Sequence, residues 1–383
     1  MAATLVGLAN GYRRGFWLSA TQYLGLLAGV LLGAAVAKSL LDSIGINTPG
    51  TRSLGAVLVL IIGGSLGSSI GYAAGEPIRR NILRTGIHSS TDSAGGAVLS
   101  TIAVLAMVWF LGLSFSRFPN QQVAQLIQRS AVLHALDSAA PRPPDFLARV
   151  EGILSGVSFP SVFAGLEPSL PAPLPVPPSV DTAEVRSAAA AVVKVTSVGC
   201  GGLVTGSGFP IGGGYVVTSA HVVSGTGSHH LVTPDGGELN ATVVYFDPER
   251  DVALLYAPAY TASLSFAPAS RGTEAAVIGY PGGGAESVTP AVVDGVIEAQ
   301  GYDIYSANRV TRQIYVIQGT VRPGNSGGPL VDLKGRVLGI VFATSASDPN
   351  QAYALTDDEI ASDLQDGQHQ TSPVDTTQYA CAA

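Results

Sequence analysis

Residues 324–330 read Gly324-Asn325-Ser326-Gly327-Gly328-Pro329-Leu330. One serine stands among three glycines and a proline, and an apolar run follows at once. A plain turn rarely needs so many residues free to take unusual φ. The excess reads instead as a turn that lets backbone N–H groups face a developing negative charge. Two strings upstream complete the pattern. Thr218-Ser219-Ala220-His221-Val222-Val223 sets a histidine at the close of an apolar strand. Asp251-Val252-Ala253-Leu254-Leu255 opens an apolar run with an aspartate, which places it at a core edge rather than in solvent.

Acyl transfer needs these three residue types together. A serine hydroxyl is a weak nucleophile at neutral pH, so an imidazole must take its proton. The imidazole in turn needs a carboxylate to fix its tautomer and stabilise its charged form. Ser326, His221 and Asp251 are the candidate nucleophile, base and orienting acid. The backbone N–H groups of Gly324 and Ser326 are the candidate oxyanion donors, each worth roughly 3–4 kcal/mol in a transition state. A histidine after a strand is ordinary taken alone, and an aspartate before an apolar run is commonly a cap. The glycine-serine string carries the specificity, and the order His, Asp, Ser on an all-β background strengthens it.

That background starts near Asp181. Short runs rich in Val, Ile, Thr and Tyr recur between Gly, Pro, Asn and Asp turns: residues 191–198, 214–223, 241–246, 275–280, 312–317 and 336–342. This is the pattern of an all-β sandwich or barrel. Helix is expected near Thr356–Leu364, with Thr356 and Glu359 as a capping box. His229-His230 reads as an exposed pair before a strand. No Cys-x-x-Cys spacing suggests zinc or redox chemistry, and no metal or organic cofactor is implied.

Upstream the texture is different. The chain has 383 residues, 47 of them glycine, and only 12% charged, against about 25% in an ordinary soluble domain. Mean hydropathy is +0.35. This argues against a fully soluble enzyme and against a disordered protein, and the net charge of −7 gives no basic footprint for nucleic acid. Residues 1–120 hold eight Lys and Arg against three Asp and Glu, whereas 121–383 hold twelve against twenty-four. Three uncharged apolar runs, about Phe16–Ala37, Leu54–Gly75 and Ala94–Leu113, are long enough to span a bilayer. Met1–Asn10 is apolar but too short to span, and lacks the charged start and cleavage site of a signal peptide. Arg13, Arg14, Arg79, Arg80 and Arg84 fall on one side of the spans and Lys38 and Arg52 on the other. The positive-inside rule then puts the N-terminus in the cytoplasm and everything after Leu113 outside. Glycine recurs at every fourth position in Gly25, Gly29, Gly33 and in Gly63, Gly67, Gly71, Gly75, which reads as close helix packing rather than transport. Pro119–Gly156 has helical patches around Val123, Leu126, Ile127 and Ala131. His88 and His134 read as surface residues, and Leu170–Val180 as an extended, Pro-rich spacer. The resulting division is 1–115 membrane domain, 116–180 linker and 181–383 catalytic domain.

TSAHVV, DVALL and GNSGGPL resemble the trypsin-like fold in its bacterial HtrA-like form. Gly11-Tyr12-Arg13-Arg14-Gly15 with the glycine-rich spans resembles the colicin V production (CvpA) family. CvpA-like spans joined to a trypsin-like domain without PDZ modules resemble the MarP membrane serine proteases of mycobacteria and other actinobacteria. Tyr280-Pro281-Gly282-Gly283-Gly284 and the two cysteines also fit that family. The resemblance implies an N-terminal α-helical transmembrane bundle followed by a C-terminal all-β chymotrypsin-like double β-barrel, with His221, Asp251 and Ser326 in the cleft. It implies a serine endopeptidase of the periplasm or cell envelope, active in acid and oxidative stress, with protein or peptide substrates and the lipid bilayer as partners. It implies four spans, so that Met1–Asn10 is the stub of the first. Cys200 and Cys381 are the only cysteines, and an extracytoplasmic domain would let them form a disulfide. Thr320 takes the base of the primary pocket and Phe342, Ala343 and Thr344 its wall, which favours small or medium uncharged side chains over Lys or Arg. Phe342 stands where many relatives carry a serine that supports the aspartate. That leaves Asp251 either one partner short or supported by backbone. The competing reading is a catalytically idle protease fold acting as an envelope stress sensor or scaffold.

Overall fold

The computed structural model describes residues 2–44, 49–84, 89–115, 130–139, 162–165, 167–168, 172–200 and 202–382. Val123, Leu126, Ile127, His88 and the side chain of His134 lie outside the described residues. The chain divides into two compact units.

The first unit is helical: α1 (Ala2–Arg14), α2 (Phe16–Ser43), α3 (Pro49–Arg84), α4 (Ser89–Phe115) and α5 (Ala131–Ala139). Three helices are long and apolar enough to cross a membrane, over Phe16–Ala37, Leu58–Ile82 and Ser89–Trp109. Their outward faces carry Leu24, Leu32, Leu66, Ile70, Val98 and Ile102, all exposed. Such a surface suits hydrocarbon and not water. The two glycine ladders face each other. A Cβ at Gly25 would lie 2.2 Å from the Gly67 carbonyl oxygen, and one at Gly29 would lie 2.1 Å from that of Gly63. Only glycine lets α2 and α3 approach so closely. The opening apolar stretch forms α1, which packs on α4 where a Cβ at Gly11 would meet the Gly96 carbonyl at 2.2 Å.

One feature departs from the uncharged spans read in the sequence. The helices run beyond those bounds, and the extensions bring in charge. Asp92, on α4, is buried and paired with Arg79 of α3 at 2.8 Å. Gly15, at φ +80, makes room for it, since a Cβ there would lie 1.9 Å from the carboxylate.

The second unit holds two closed six-stranded barrels. The first is formed by β1 (Val193–Gly199), β2 (Gly202–Gly212), β3 (Tyr215–Thr218), β4 (Thr226–Val232), β5 (Glu238–Asp247) and β6 (Val252–Tyr256), in the order β1-β2-β3-β6-β5-β4. The second is formed by β7 (Glu274–Gly279), β8 (Ser287–Tyr302), β9 (Arg309–Gly319), β10 (Pro329–Asp332), β11 (Val337–Thr344) and β12 (Gln351–Thr356), in the order β10-β11-β12-β9-β8-β7. Closure leaves no open sheet edge. Each barrel buries its Val, Ile and Leu, and a shared apolar cluster including Phe209, Ile278, Val316 and Phe342 runs through both. Before the first barrel, α6 (Ala183–Ala189) is capped by Thr182, whose hydroxyl accepts from Val185 N. After the second, α8 (Asp357–Gly367) is capped by Thr356, which accepts from Glu359 N at 3.1 Å. The capping box is half made, because the Glu359 carboxylate turns instead to Gln313 N and Arg250. The tail then crosses the first barrel to Cys381, disulfide-bonded to Cys200 across a Cα separation of 5.7 Å.

Candidate active site

His221 does not end a strand. β3 stops at Thr218, and a single helical turn, α7 (Ala220–Val223), carries the imidazole. Asp251 sits in the turn before β6, fully buried and with φ +64. A non-glycine residue in that region is uncommon and marks a position over-determined by its surroundings. Its carboxylate explains the constraint. Oδ2 lies 2.7 Å from His221 Nδ1, and Oδ1 accepts from the His221 backbone N–H at 2.9 Å. One side chain therefore orients both the ring and the backbone of His221. This is the backbone support left open by Phe342.

The third string brings Ser326 to the seam between the barrels. Ser207 N of β2 donates to the Ser326 carbonyl at 2.8 Å, while Gly327 N donates to Val341 O at 2.8 Å. Ser326 is almost wholly buried. Among the described residues the hydrogen bonds of the His221 side chain and backbone N–H run to Asp251 and none runs to the Ser326 hydroxyl, as is common in ligand-free sites. Two of the glycines also let backbone approach backbone. A Cβ at Gly327 would meet Ser207 O at 2.3 Å, and one at Gly328 would meet Ile278 O at 2.3 Å.

One peptide sets the direction of the Gly324 N–H. Pro323 O accepts from Gly282 N at 2.7 Å. In a trans peptide the N–H points opposite to the C=O, so Gly324 N–H is turned away from Gly282. Neither Gly324 N nor Ser326 N donates to any group among the described residues. Two backbone donors are therefore free beside the serine.

Three supporting residues were missed in the sequence. Ser207 Oγ donates to Gly324 O at 2.7 Å and accepts from Tyr280 N at 2.9 Å, tying the first barrel to the glycine turn. Thr218 Oγ1 donates to Ser207 O at 2.7 Å. A serine between two glycines in an apolar strand was the available signal. Arg312 is buried with no carboxylate bonded to it among the described residues, and gave no signal in the sequence. Its Nε donates to Glu249 O at 2.7 Å and its Nη2 to Tyr302 O at 3.0 Å, with the guanidinium 5.8 Å from the Phe342 ring centre. Burial pulls its pKa down, while the charge of Asp251 opposes that. It anchors the turn that presents Asp251.

Thr320 is exposed, Phe342 and Ala343 are fully buried, and Thr344 is half-buried. Among the described residues no group of three or more His, Cys, Asp or Glu could hold a metal. His229 corrects the sequence reading: it is buried, not solvated. Its Nδ1 lies 3.0 Å from Ser197 Oγ, and burial followed by the neighbouring His230 lowers its pKa to about 4. Alternation places it on the inner face of β4, where the pair of histidines cannot both face water.

A double barrel with a serine, a histidine and a buried aspartate at its seam defines a trypsin-like serine protease fold. Residues 206–340 match the trypsin-like peptidase domain family and residues 1–141 the Colicin V production protein family. Serine protease Rv3671c of Mycobacterium tuberculosis is 32% identical over 376 residues, covering 95% of this chain and 93% of its own. The chain belongs to that family of serine proteases, which joins a CvpA-like helical region to a trypsin-like domain. The crystal structure of the active form of the Rv3671c protease aligns with a TM-score of 0.53 at 38% identity, covering 57% of this chain and 99% of that one. A probable periplasmic serine endoprotease, DegP-like, from Bartonella henselae is 36% identical over 159 residues, which is 39% of this chain and 30% of that protein.

Proposed function

We propose that this chain is a membrane-anchored serine endopeptidase whose barrels face the cell envelope. The observation that carries the reading is the double hold of Asp251 on His221 beside a serine whose turn leaves two N–H donors free. His221 Nε2 takes the Ser326 proton as Oγ attacks the peptide carbonyl. The oxyanion falls to Gly324 N–H and Ser326 N–H. Asp251 stabilises the imidazolium, which then protonates the leaving amine. Water enters, His221 activates it, and the acyl-enzyme is hydrolysed. Thr320 and the Phe342–Thr344 wall carry no charge, which supports small or medium uncharged side chains at the cut. The arginine distribution around the spans supports barrels outside the cytoplasm. The family resemblance supports a role in envelope acid and oxidative stress.

The test treats the full-length protein, in detergent, with a fluorophosphonate and locates the adduct by mass spectrometry. An adduct on Ser326 that is absent in Ser326→Ala is expected. The competing reading is an idle scaffold, and a folded protein that takes no adduct would count for it and against the endopeptidase.

A further inference from the structure

The segment entering the barrels is built into them. Val162 and Phe163 are buried in the shared core. The Phe163 ring meets Tyr353 edge-on at 5.4 Å, and Ala164 N donates to Gln300 O at 2.7 Å. These contacts deliver one carboxylate to a loop some 180 residues away. Glu167 Oε2 accepts from Ser345 Oγ at 2.6 Å and Ser347 Oγ at 2.8 Å, and Oε1 accepts from Ala346 N at 2.8 Å. Three donors of the turn converge on a single charged acceptor, a strong arrangement for them.

Backbone bonds close the turn at its base, where Ser345 N donates to Gln351 O at 2.9 Å, and its tip is organised through the Ser345 hydroxyl. The Ser345 hydroxyl gives its only proton to Glu167 and accepts from Ser347 N at 3.1 Å and Asp348 N at 3.0 Å. Its shape thus depends on where the carboxylate holds that hydroxyl. Ser345 directly follows Phe342-Ala343-Thr344, the proposed pocket wall. Ala343 pairs across the sheet with Tyr353, the residue that Phe163 packs on. The entering segment therefore holds two neighbours of the wall, the Ser345–Ser347 turn through Glu167 and Tyr353 through Phe163. Nearby, burial and the Glu167 charge together push the Tyr353 hydroxyl well above its ordinary pKa.

We propose that Glu167 is a positioning residue for substrate binding: its carboxylate holds the Ser345–Ser347 turn, and through it the Phe342–Thr344 wall, in the form that accepts a substrate side chain. This rests on the protease reading above. It makes the segment around residue 167 part of the enzyme and not only a tether, and a catalytic unit cut at Asp181 lacks it.

The test uses the full-length protein in detergent with two probes. One is a small fluorophosphonate, which reports Ser326 without filling the pocket. The other is a set of internally quenched peptides varied at the residue before the cut. Glu167→Ala is expected to raise KM about tenfold, the equivalent of one charge-assisted hydrogen bond. It should leave kcat and the labelling rate within about threefold of wild type and flatten the side-chain preference. Glu167→Gln, which keeps one acceptor oxygen, should fall between. The double change Ser345→Ala with Ser347→Ala should raise KM alike, and adding Glu167→Ala to it should raise it no further. An unchanged KM and preference in Glu167→Ala, with Ser326 still labelled, overturns the proposal alone. A joint collapse of labelling, kcat and KM in both the Ala and the Gln variants also overturns it, since the residue is then only structural. Wild-type protein that neither labels nor cleaves removes the protease reading, and this proposal with it.

Discussion

Gly324→Ala tests the oxyanion geometry at its tightest point. The glycine sits at φ +96, where an L side chain costs about 1–2 kcal/mol. An added Cβ would lie 2.3 Å from Tyr280 O and 2.8 Å from Gly282 N. Both obstacles are backbone, so no side-chain rotation relieves the clash. Ordinary contact starts near 3.4 Å, so the turn must retreat by roughly 1 Å. It cannot swing as a unit, because Pro323 O is bonded to Gly282 N, part of the surface the methyl strikes. The motion therefore falls on the 323–324 peptide and its N–H. A hydrogen bond stretched by that amount is lost, and losing one oxyanion donor lowers kcat by about 100- to 1000-fold. The assay is kcat and KM on a quenched peptide, with the fluorophosphonate labelling rate alongside. KM should change far less than kcat. Gly236→Ala is the matched control: its φ is +86 and nothing lies within 4 Å of the added Cβ. It should show the conformational cost in stability and wild-type kcat. A Gly324→Ala enzyme within threefold of wild-type kcat would refute the assignment of that N–H to the transition state.

Three further outcomes follow from the same structure. Asp251→Asn keeps the shape but cannot accept from both His221 Nδ1 and His221 N, and kcat should fall by about 10⁴ with labelling of Ser326 slowed in parallel. His229 is held neutral, with a pKa of about 4 in the fold against an ordinary 6.5. The unfolded chain thus binds more protons between those values, so stability is complete above pH 6.5 and declines by up to roughly 3 kcal/mol toward pH 4. Hydrogen exchange of tail amides near Thr376, corrected for intrinsic rate, should rise over that window in wild type and stay flat in His229→Gln. In the helical unit, Gly67→Leu meets Gly25 O with its Cβ at 2.1 Å. The α2–α3 pair should melt at lower temperature in detergent while Ser326 labelling persists, and an unchanged melt would contradict the close crossing.

Much of this molecule is written in local patterns. Barrel strands show as apolar runs because each has one face in a core; five of the six runs read in the sequence fall on strands, and the sixth, 214–223, is β3 followed by the helical turn α7. Where the reading slipped, a local rule met a tertiary demand. His221 follows an apolar run but stands on a helical turn, because its backbone N–H is claimed by Asp251. Glu359 occupies the capping-box position, yet its carboxylate serves Gln313 N and Arg250. His229 looks solvated beside His230, but strand alternation sends the two to opposite faces. Asp92 escaped notice because its partner Arg79 lies on another helix.

The support of the site was the least legible part, and the reason is physical. The glycine-serine string is readable because its serine and the two free N–H groups lie within three consecutive residues. Arg312 and Glu167 are under no such constraint. Each acts through a backbone carbonyl or a short turn that the fold alone brings near, at separations of 63 and about 180 residues. Any donor or acceptor of the right reach would serve there, so no fixed spacing marks them. Phe342 shows the consequence. Its apolar ring cannot bond Asp251, and read alone it leaves the carboxylate short of a partner. In the fold the ring instead lies under Arg312, which fixes the Glu249 carbonyl two residues before Asp251. The loss of a direct hydrogen bond is thus offset by rigidity of the turn and by a nearby buried cation, a trade visible only once β9 and β11, with β12 between them, are folded beside the Asp251 turn.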